Sequence, residues 1–345
     1  IDEHWVEGLH NLILIDEVQE IESWEKSVRS YRTEEDTDII ITGSNSKMLS
    51  SELSTLIGGR YHEIYVQSLS YQEFLLFHEL EDNDDALSKY INYGGLPGLK
   101  QVGLDDEEFV WDYIRAVFHT VMLKDIVERN NIRNVSFLNT LLRYFADTIG
   151  KLSSLNNISK FMKSQGLDVS VKSIAAYLDY FRDAYLLLTV NRFDIHGKKL
   201  LESNEKIYFG DVGLRNLIAG GERQGDIEKI LENIVYQQFV RMGYAVSVGQ
   251  LRAGEVDFVC TKSNERLYVQ VAYLIASEET EEREFGSLDN IKDNYPKYVI
   301  SMTPLVRRSD RQGVVHLGLR EFLKNGFEKK VALNIEFFSF CDYII

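Results

Sequence analysis

Residues 11–21 read NLILIDEVQEI, an unbroken apolar run from Leu12 to Ile15 that ends directly in two acids, Asp16 and Glu17. A continuous rather than alternating apolar run is the pattern of a strand buried on both faces, as in parallel sheets. A second run, DIIITGSN at 38–45, ends in turn residues, and a helical stretch lies between the two. Apolar strands separated by helices predict a parallel α/β unit over residues 1–80, with YHEIYVQSLS (61–70) as a further strand. In such sheets ligands sit outside the carboxyl ends of the strands, which is where the two acids stand. The plain alternative is a strand that ends in a solvated acidic turn.

The 345 residues have room for two or three domains, and 44% apolar content is enough for their cores. A net charge of −16 argues against a protein that coats nucleic acid, while leaving room for a local basic face. Two distant cysteines, Cys260 and Cys341, exclude a disulfide framework or a cysteine-rich zinc site and fit a reducing cytoplasm. No run approaches the roughly 18 apolar residues of a membrane span, so no membrane association is expected. The chain starts at Ile1 in mid-pattern and reads as lacking its natural start.

Further along, EDNDD (81–85) reads as a surface break and YGGLPG (93–98) as a turn cluster. Residues 107–130 have helical spacing, Phe109, Tyr113, Val117 and Val121 stepping by four. Three helices are predicted between 135 and 184, the second closed near Gly166 and the third capped by Ser170, followed by the strand YLLLTVNRFD. Three helices and then strands is the order of a winged helix, with GKK (197–199) as a possible wing. Residues 226–323 return to α/β: a helix, then the strands AVSVGQ, EVDFVC and LYVQVAYLI. The run EETEERE (278–284) reads as a solvated acidic stretch.

In P-loop phosphoryl-transfer enzymes an Asp at a strand end helps hold Mg2+, and an adjacent acid can orient or deprotonate the attacking water. Thr42, Ser44 and Asn45 at the next strand end could sense a phosphate or simply cap a turn; Arg60, after two glycines, could reach a phosphate or lie on the surface. In order, LILIDEVQEIESWE, ITGSNSKMLSSELSTLIGGRY, QSLSYQEFL, YGGLPG and VMLKDIVERNNI resemble the C-terminal half of an AAA-type ATP-binding module. The family it resembles joins that module to a C-terminal region of unknown function, which VKSIAAYLDYFRDAYLLLTVNRFDIHGKKLL, EKIYFGDVGLRN and GEVDFV also resemble. The resemblance extends over about residues 1–323. It implies ATP and Mg2+ as cofactors, Asp16 as the Mg2+-linked acid, Glu17 as the catalytic acid, Asn45 as the sensor and Arg60 as the arginine near the phosphates.

The phosphate loop G-x-x-x-x-G-K-[ST] is absent from the 345 residues; GGLPGLK comes closest but lies after the acids and lacks the pattern. Fifteen residues precede Asp16, whereas strand, loop and crossover helix need about 30. The chain alone is therefore expected neither to bind ATP tightly nor to hydrolyse it, the parent protein being the ATPase.

Residues 213–323 resemble the PD-(D/E)xK nuclease fold, in which acids hold Mg2+ and a lysine assists the attacking water. Asp257 matches the first acid and Glu232 an accessory acid, but Gln270 and Ala272 stand where the second acid and the lysine belong. An inert nuclease-like domain is expected. The candidate DNA-reading helix, VKSIAAYLDYFRDA, carries Lys172 and Arg182 but also Asp179 and Asp183, without the basic excess phosphates call for.

The expected fold is thus multidomain α/β: a partial P-loop NTPase-like parallel sheet (1–80), a helical lid (81–133), a winged helix (134–212), a degenerate restriction-endonuclease-like α/β domain (213–323) and a tail (324–345). The expected function is that of an AAA-family ATPase. The competing hypothesis is a non-catalytic module that binds protein or nucleic acid and carries a dead nuclease-like domain. Expected partners are a protein, DNA through the winged helix, and further copies of the chain by analogy with ring-forming relatives.

Overall fold

A computed structural model describes residues 6, 8–31, 33, 36–44, 61–221, 224–252, 254–304 and 309–327. A strand–helix–strand unit comes first: β1 (Asn11–Ile15), α1 (Trp24–Tyr31) and β2 (Thr37–Ile41). The strands are parallel, Asn11 opposite Thr37 and Ile15 opposite Ile41. Trp24 and Val28, one turn apart on α1, close with Val18 over Ile15, Ile39 and Ile41. Only one face is covered in this way. Leu12, Leu14 and Ile40 remain 55%, 62% and 44% exposed, so β1 is not the doubly buried strand that its apolar run predicts. The physical reason is layering: among the described residues a single helix packs on this two-stranded sheet. Among the described residues the third strand expected at 61–70 is not formed: residues 61–68 have no ladder partner there, and Ser70 caps a helix.

Helices follow: α2 (Tyr71–His78), α3 (Asp84–Tyr93), α4 (Leu99–Val102), α5 (Glu107–Thr120) and α6 (Val135–Asp147). Side chains cap most of their starts. Ser70 and Glu73 form a reciprocal capping box on α2, and Asn83, Asp106 and Asn134 cap α3, α5 and α6. α5 continues into a π-helical segment, Val121–Glu128, a departure often found at functional sites.

The short strand β3 (Leu152–Ser153) leads to α7 (Leu155–Ser164) and α8 (Val171–Asp183), the latter capped by Ser170 as its sequence predicts. The hairpin β4 (Leu187–Asp194) and β5 (Lys199–Phe209), α9 (Val212–Ala219) and α10 (Ile227–Arg241) come next. Then come β6 (Ala245–Gln250), β7 (Glu255–Lys262), β8 (Glu265–Ala272), α11 (Glu278–Asp289), β9 (Lys297–Ser301), β10 (Ser309–Arg311), β11 (Val314–Gly318) and α12 (Leu319–Asn325). One nine-stranded sheet contains β3 to β11, in the order β10-β11-β9-β8-β7-β6-β4-β5-β3. The β4–β5 hairpin is therefore no free wing. β4 pairs in parallel with β6, Arg192 opposite Val248 and Asp194 opposite Gln250, and the sheet runs unbroken across residues 212 and 213.

The acidic stretch 278–284 is not simply solvated. It forms the first turns of α11, where Ser277 caps the helix and acids complement its dipole. Helical periodicity turns Glu284 inward with Phe285 and Leu288, and Arg283 pairs with the Glu284 carboxylate at 2.7 Å. Among the described residues no helix is long and apolar enough to cross a membrane. The tail beyond residue 327 lies outside the described residues.

Candidate functional site

Register brings the two N-terminal strand ends side by side. The Thr42 hydroxyl donates to Asp16, and the Glu17 N–H donates to Thr42 Oγ1 at 3.1 Å. Glu17 takes a left-handed conformation, φ 46°, at the turn out of β1. Its carboxylate accepts from the Gln19 amide, which also reaches Ser44 Oγ at 3.1 Å. Among the described residues the buried Gln19 Oε1 has no hydrogen-bond partner. Ser44 in turn donates to Asp125 Oδ1 at 3.2 Å, and Asp125 pairs with Arg129 at 3.2 Å, both on or just past the π segment. A surface pair, Lys124 with Glu20 at 2.5 Å, runs alongside. The acids are thus tied to the second strand end and, through it, to the helical region. Asn45 and Arg60 lie outside the described residues.

A second set of contacts fixes the segment that leaves this unit. The Leu69 carbonyl accepts from the Tyr90 hydroxyl at 3.0 Å, and the Ser68 carbonyl accepts from Arg241 at 2.6 Å. Leu69 N–H donates to the Gly95 carbonyl at 2.7 Å, and Gly95 N–H donates to Asp211 at 2.8 Å. Asp211, 3% exposed, also caps α9 through Gly213 and Leu214, and burial pushes its carboxyl up. Gly95 is required by this crowding, since a Cβ there would lie 2.3 Å from the Leu69 carbonyl oxygen, whereas one on Gly98 would displace the Tyr113 side chain.

The third cluster gathers the nuclease-like positions. Glu232 on α10 and Asp257 on β7 meet, but around a residue the sequence did not single out: Lys206 of β5. Its fully buried ammonium lies 2.9 Å from Glu255, 3.2 Å from Asp257 and 3.4 Å from Glu232. Tyr208 donates to Glu232 at 3.0 Å, and Lys229 pairs with the other Glu232 oxygen. Gln270 does not face the carboxylates as a ligand; its amide oxygen accepts the Asp257 N–H at 3.3 Å, while Asp257 Oδ2 accepts the Val271 N–H at 3.0 Å. Ala272 is buried on the same strand. Burial, then repulsion from Asp257, pushes Glu232 up to about 7 against the pull of Lys206 and Lys229. For Lys206, burial opposes the charge, but Asp257, Glu232 and Glu255 outweigh it and hold the ammonium well above the usual lysine range. Sequence offered one clue to Lys206: it directly precedes the apolar run Ile207, Tyr208 and Phe209 at the end of β5, and there, in a buried segment, a lysine must be paired.

The parallel strand–helix–strand unit, with paired acids at the first strand end and hydroxyls at the second, lies within residues 2–75, which match the family described as "AAA domain". Residues 84–224 match "Domain of unknown function (DUF8612)". An uncharacterized protein of Haemophilus influenzae is 38% identical over 292 residues, covering 84% of this chain and 71% of the relative. The uncharacterized protein MJ1544 of Methanocaldococcus jannaschii is 30% identical over 298 residues, covering 81% of this chain and 65% of its own length. The chain belongs to the same family as the Haemophilus protein, and its own N-terminal segment carries the AAA-domain match. Among solved structures, the Walker-type ATPase PABY2304 of Pyrococcus abyssi is similar at 14% identity and a TM-score of 0.42, over 60% of this chain and 62% of that one.

Proposed function

We propose that the chain carries the strand-end half of the nucleotide site of an AAA-type ATPase and couples it to the helical and C-terminal body. The observation that supports this is the continuous line Asp16–Thr42, Glu17–Gln19–Ser44 and Ser44–Asp125–Arg129. The donor set suits Mg-ATP: hard oxygen ligands at a strand end, two hydroxyls beside them, and a buried Gln19 amide oxygen that has no partner among the described residues. Asp16 would hold Mg2+, which when bound neutralises phosphate charge. Glu17, fixed by Gln19, would orient or deprotonate water. Asn45 and Arg60 complete the proposal as sensor and phosphate-side arginine by family resemblance.

Readings of residues 134–212 as winged-helix-like and 213–323 as nuclease-like belong to the same proposal. α6, α7 and α8 followed by β4–β5 support the first, and the meeting of Glu232 with Asp257 supports the second. On α8, Arg182 is engaged by Asp179 and Glu205, which favours a protein partner over DNA for that helix.

The chain spans 71% and 65% of the two relatives, so the decisive test uses the full gene product. Glu17→Gln should leave ATP binding within about threefold and lower hydrolysis by about 100-fold or more. Hydrolysis at the wild-type rate would refute the assignment of Glu17.

A further inference from the structure

The centre built by α10 and β7 does not fit the divalent metal that its resemblance to nucleases implies. An ammonium has three N–H donors, and Lys206 aims at three carboxylates at 2.9, 3.2 and 3.4 Å. Other donors also hold the two buried acids. Asp257 Oδ2 binds the Val271 N–H, Glu232 Oε1 pairs with Lys229, and Glu232 Oε2 receives the Tyr208 hydroxyl as well. Backbone walls one side: a Cβ on Gly150 would lie 3.0 Å from Glu232 Oε2. Glu232 and Asp257 are buried, and of the three acids only Glu255, 35% exposed at its side chain, opens to solvent. Among the described residues no group of three or more His, Cys, Asp or Glu side chains is spaced to hold a metal. A metal with ligands at about 2.0–2.6 Å would have to evict the ammonium and draw the acids inward.

We propose that Lys206 is the resident cation of this centre: its ammonium stands where a divalent metal would otherwise bridge Glu232, Glu255 and Asp257, and its removal turns the centre into a metal site. The chemistry is charge balance. Two of the three carboxylates, those of Glu232 and Asp257, lie out of water, and a buried carboxylate without a cation is strongly destabilising. Lys206 supplies that charge covalently, so the domain holds together whatever the metal supply. The inference stands apart from the ATP proposal, since it concerns other residues and another ligand.

The probe is Mn2+, followed by the electron paramagnetic resonance of the free ion and by thermal unfolding of the whole chain. An Asp16→Asn background silences the strand-end acid. With Lys206 present, no stoichiometric Mn2+ uptake is expected. Lys206→Met should unfold at lower temperature in EDTA, recover on adding Mn2+, and bind one Mn2+ with affinity raised by about tenfold or more. Lys206→Met with Asp257→Asn should lose that response. If Lys206→Met folds only in Mn2+, the proposal is supported. If it fails to fold in either solution, or folds and binds no Mn2+, the proposal is overturned. So too is it overturned if the protein with Lys206 intact takes up one Mn2+ that Asp257→Asn abolishes.

Discussion

Asp211→Ala tests the latch between the YGGLPG turn and α9. Asp211 is 3% exposed and accepts from Gly95 at 2.8 Å, Gly213 at 2.8 Å and Leu214 at 3.3 Å. Truncation leaves these three donors without an acceptor in a buried site. An unsatisfied buried donor costs about 1–3 kcal/mol, and loss of a helix cap alone about 1 kcal/mol. Relief from burying a carboxylate offsets part of this, because burial already raises the Asp211 pKa. The net loss is about 3 kcal/mol. In urea, with a slope near 3 kcal/mol/M, the midpoint falls by about 1 M. Gly95→Ala should act on the same contact, because its Cβ would lie 2.3 Å from the Leu69 carbonyl. The double variant should therefore lose less than the sum of the two single losses. A loss below about 1 kcal/mol for Asp211→Ala, or full additivity, would show that water or backbone relaxation serves these donors equally well.

Glu232 is raised from 4.5 to about 7, so the folded state binds its proton first, and stability falls as pH rises between those values and levels off above them. The drop is about 3 kcal/mol, and Glu232→Gln should remove it; urea unfolding at pH 5 and pH 8 that gives the same difference for both proteins would contradict this. Cys260 is fully buried, and burial holds its thiol well above the usual value, so the native chain should resist iodoacetamide at that residue until it unfolds. Mass spectrometry of the Cys260 peptide gives the answer, and rapid native labelling would count against the packing described.

Local chemistry was the most legible part of the sequence. Ser170 marked the start of α8, and short runs rich in valine and aromatic residues marked β6, β7 and β8 because such side chains suit a strand. The acidic pair after LILI was legible as a strand end beside a polar neighbour, since parallel register follows from the connecting helix. What escaped was anything decided by distant packing. LILI read as doubly buried although α1 covers only one face. The run at 278–284 read as solvated, although its Ser277 cap and the Phe285–Leu288 spacing already carried a helix signal. Glu232 and Asp257 were found, but Lys206 was missed because it lies 26 and 51 positions away along the chain and arrives from a strand assigned to a different domain.

The place of β4 between β5 and β6 limits how this polypeptide can be divided. Scission after residue 212 would strip the partner from one side of β6 and bare a row of unpaired amides and carbonyls, an invitation to self-association. Shuffling between relatives would therefore have to carry the hairpin along with the strands that follow it. The same joint gives any tilt of α8 a stiff path, through ladder bonds rather than a tether, towards the lysine-filled acidic centre.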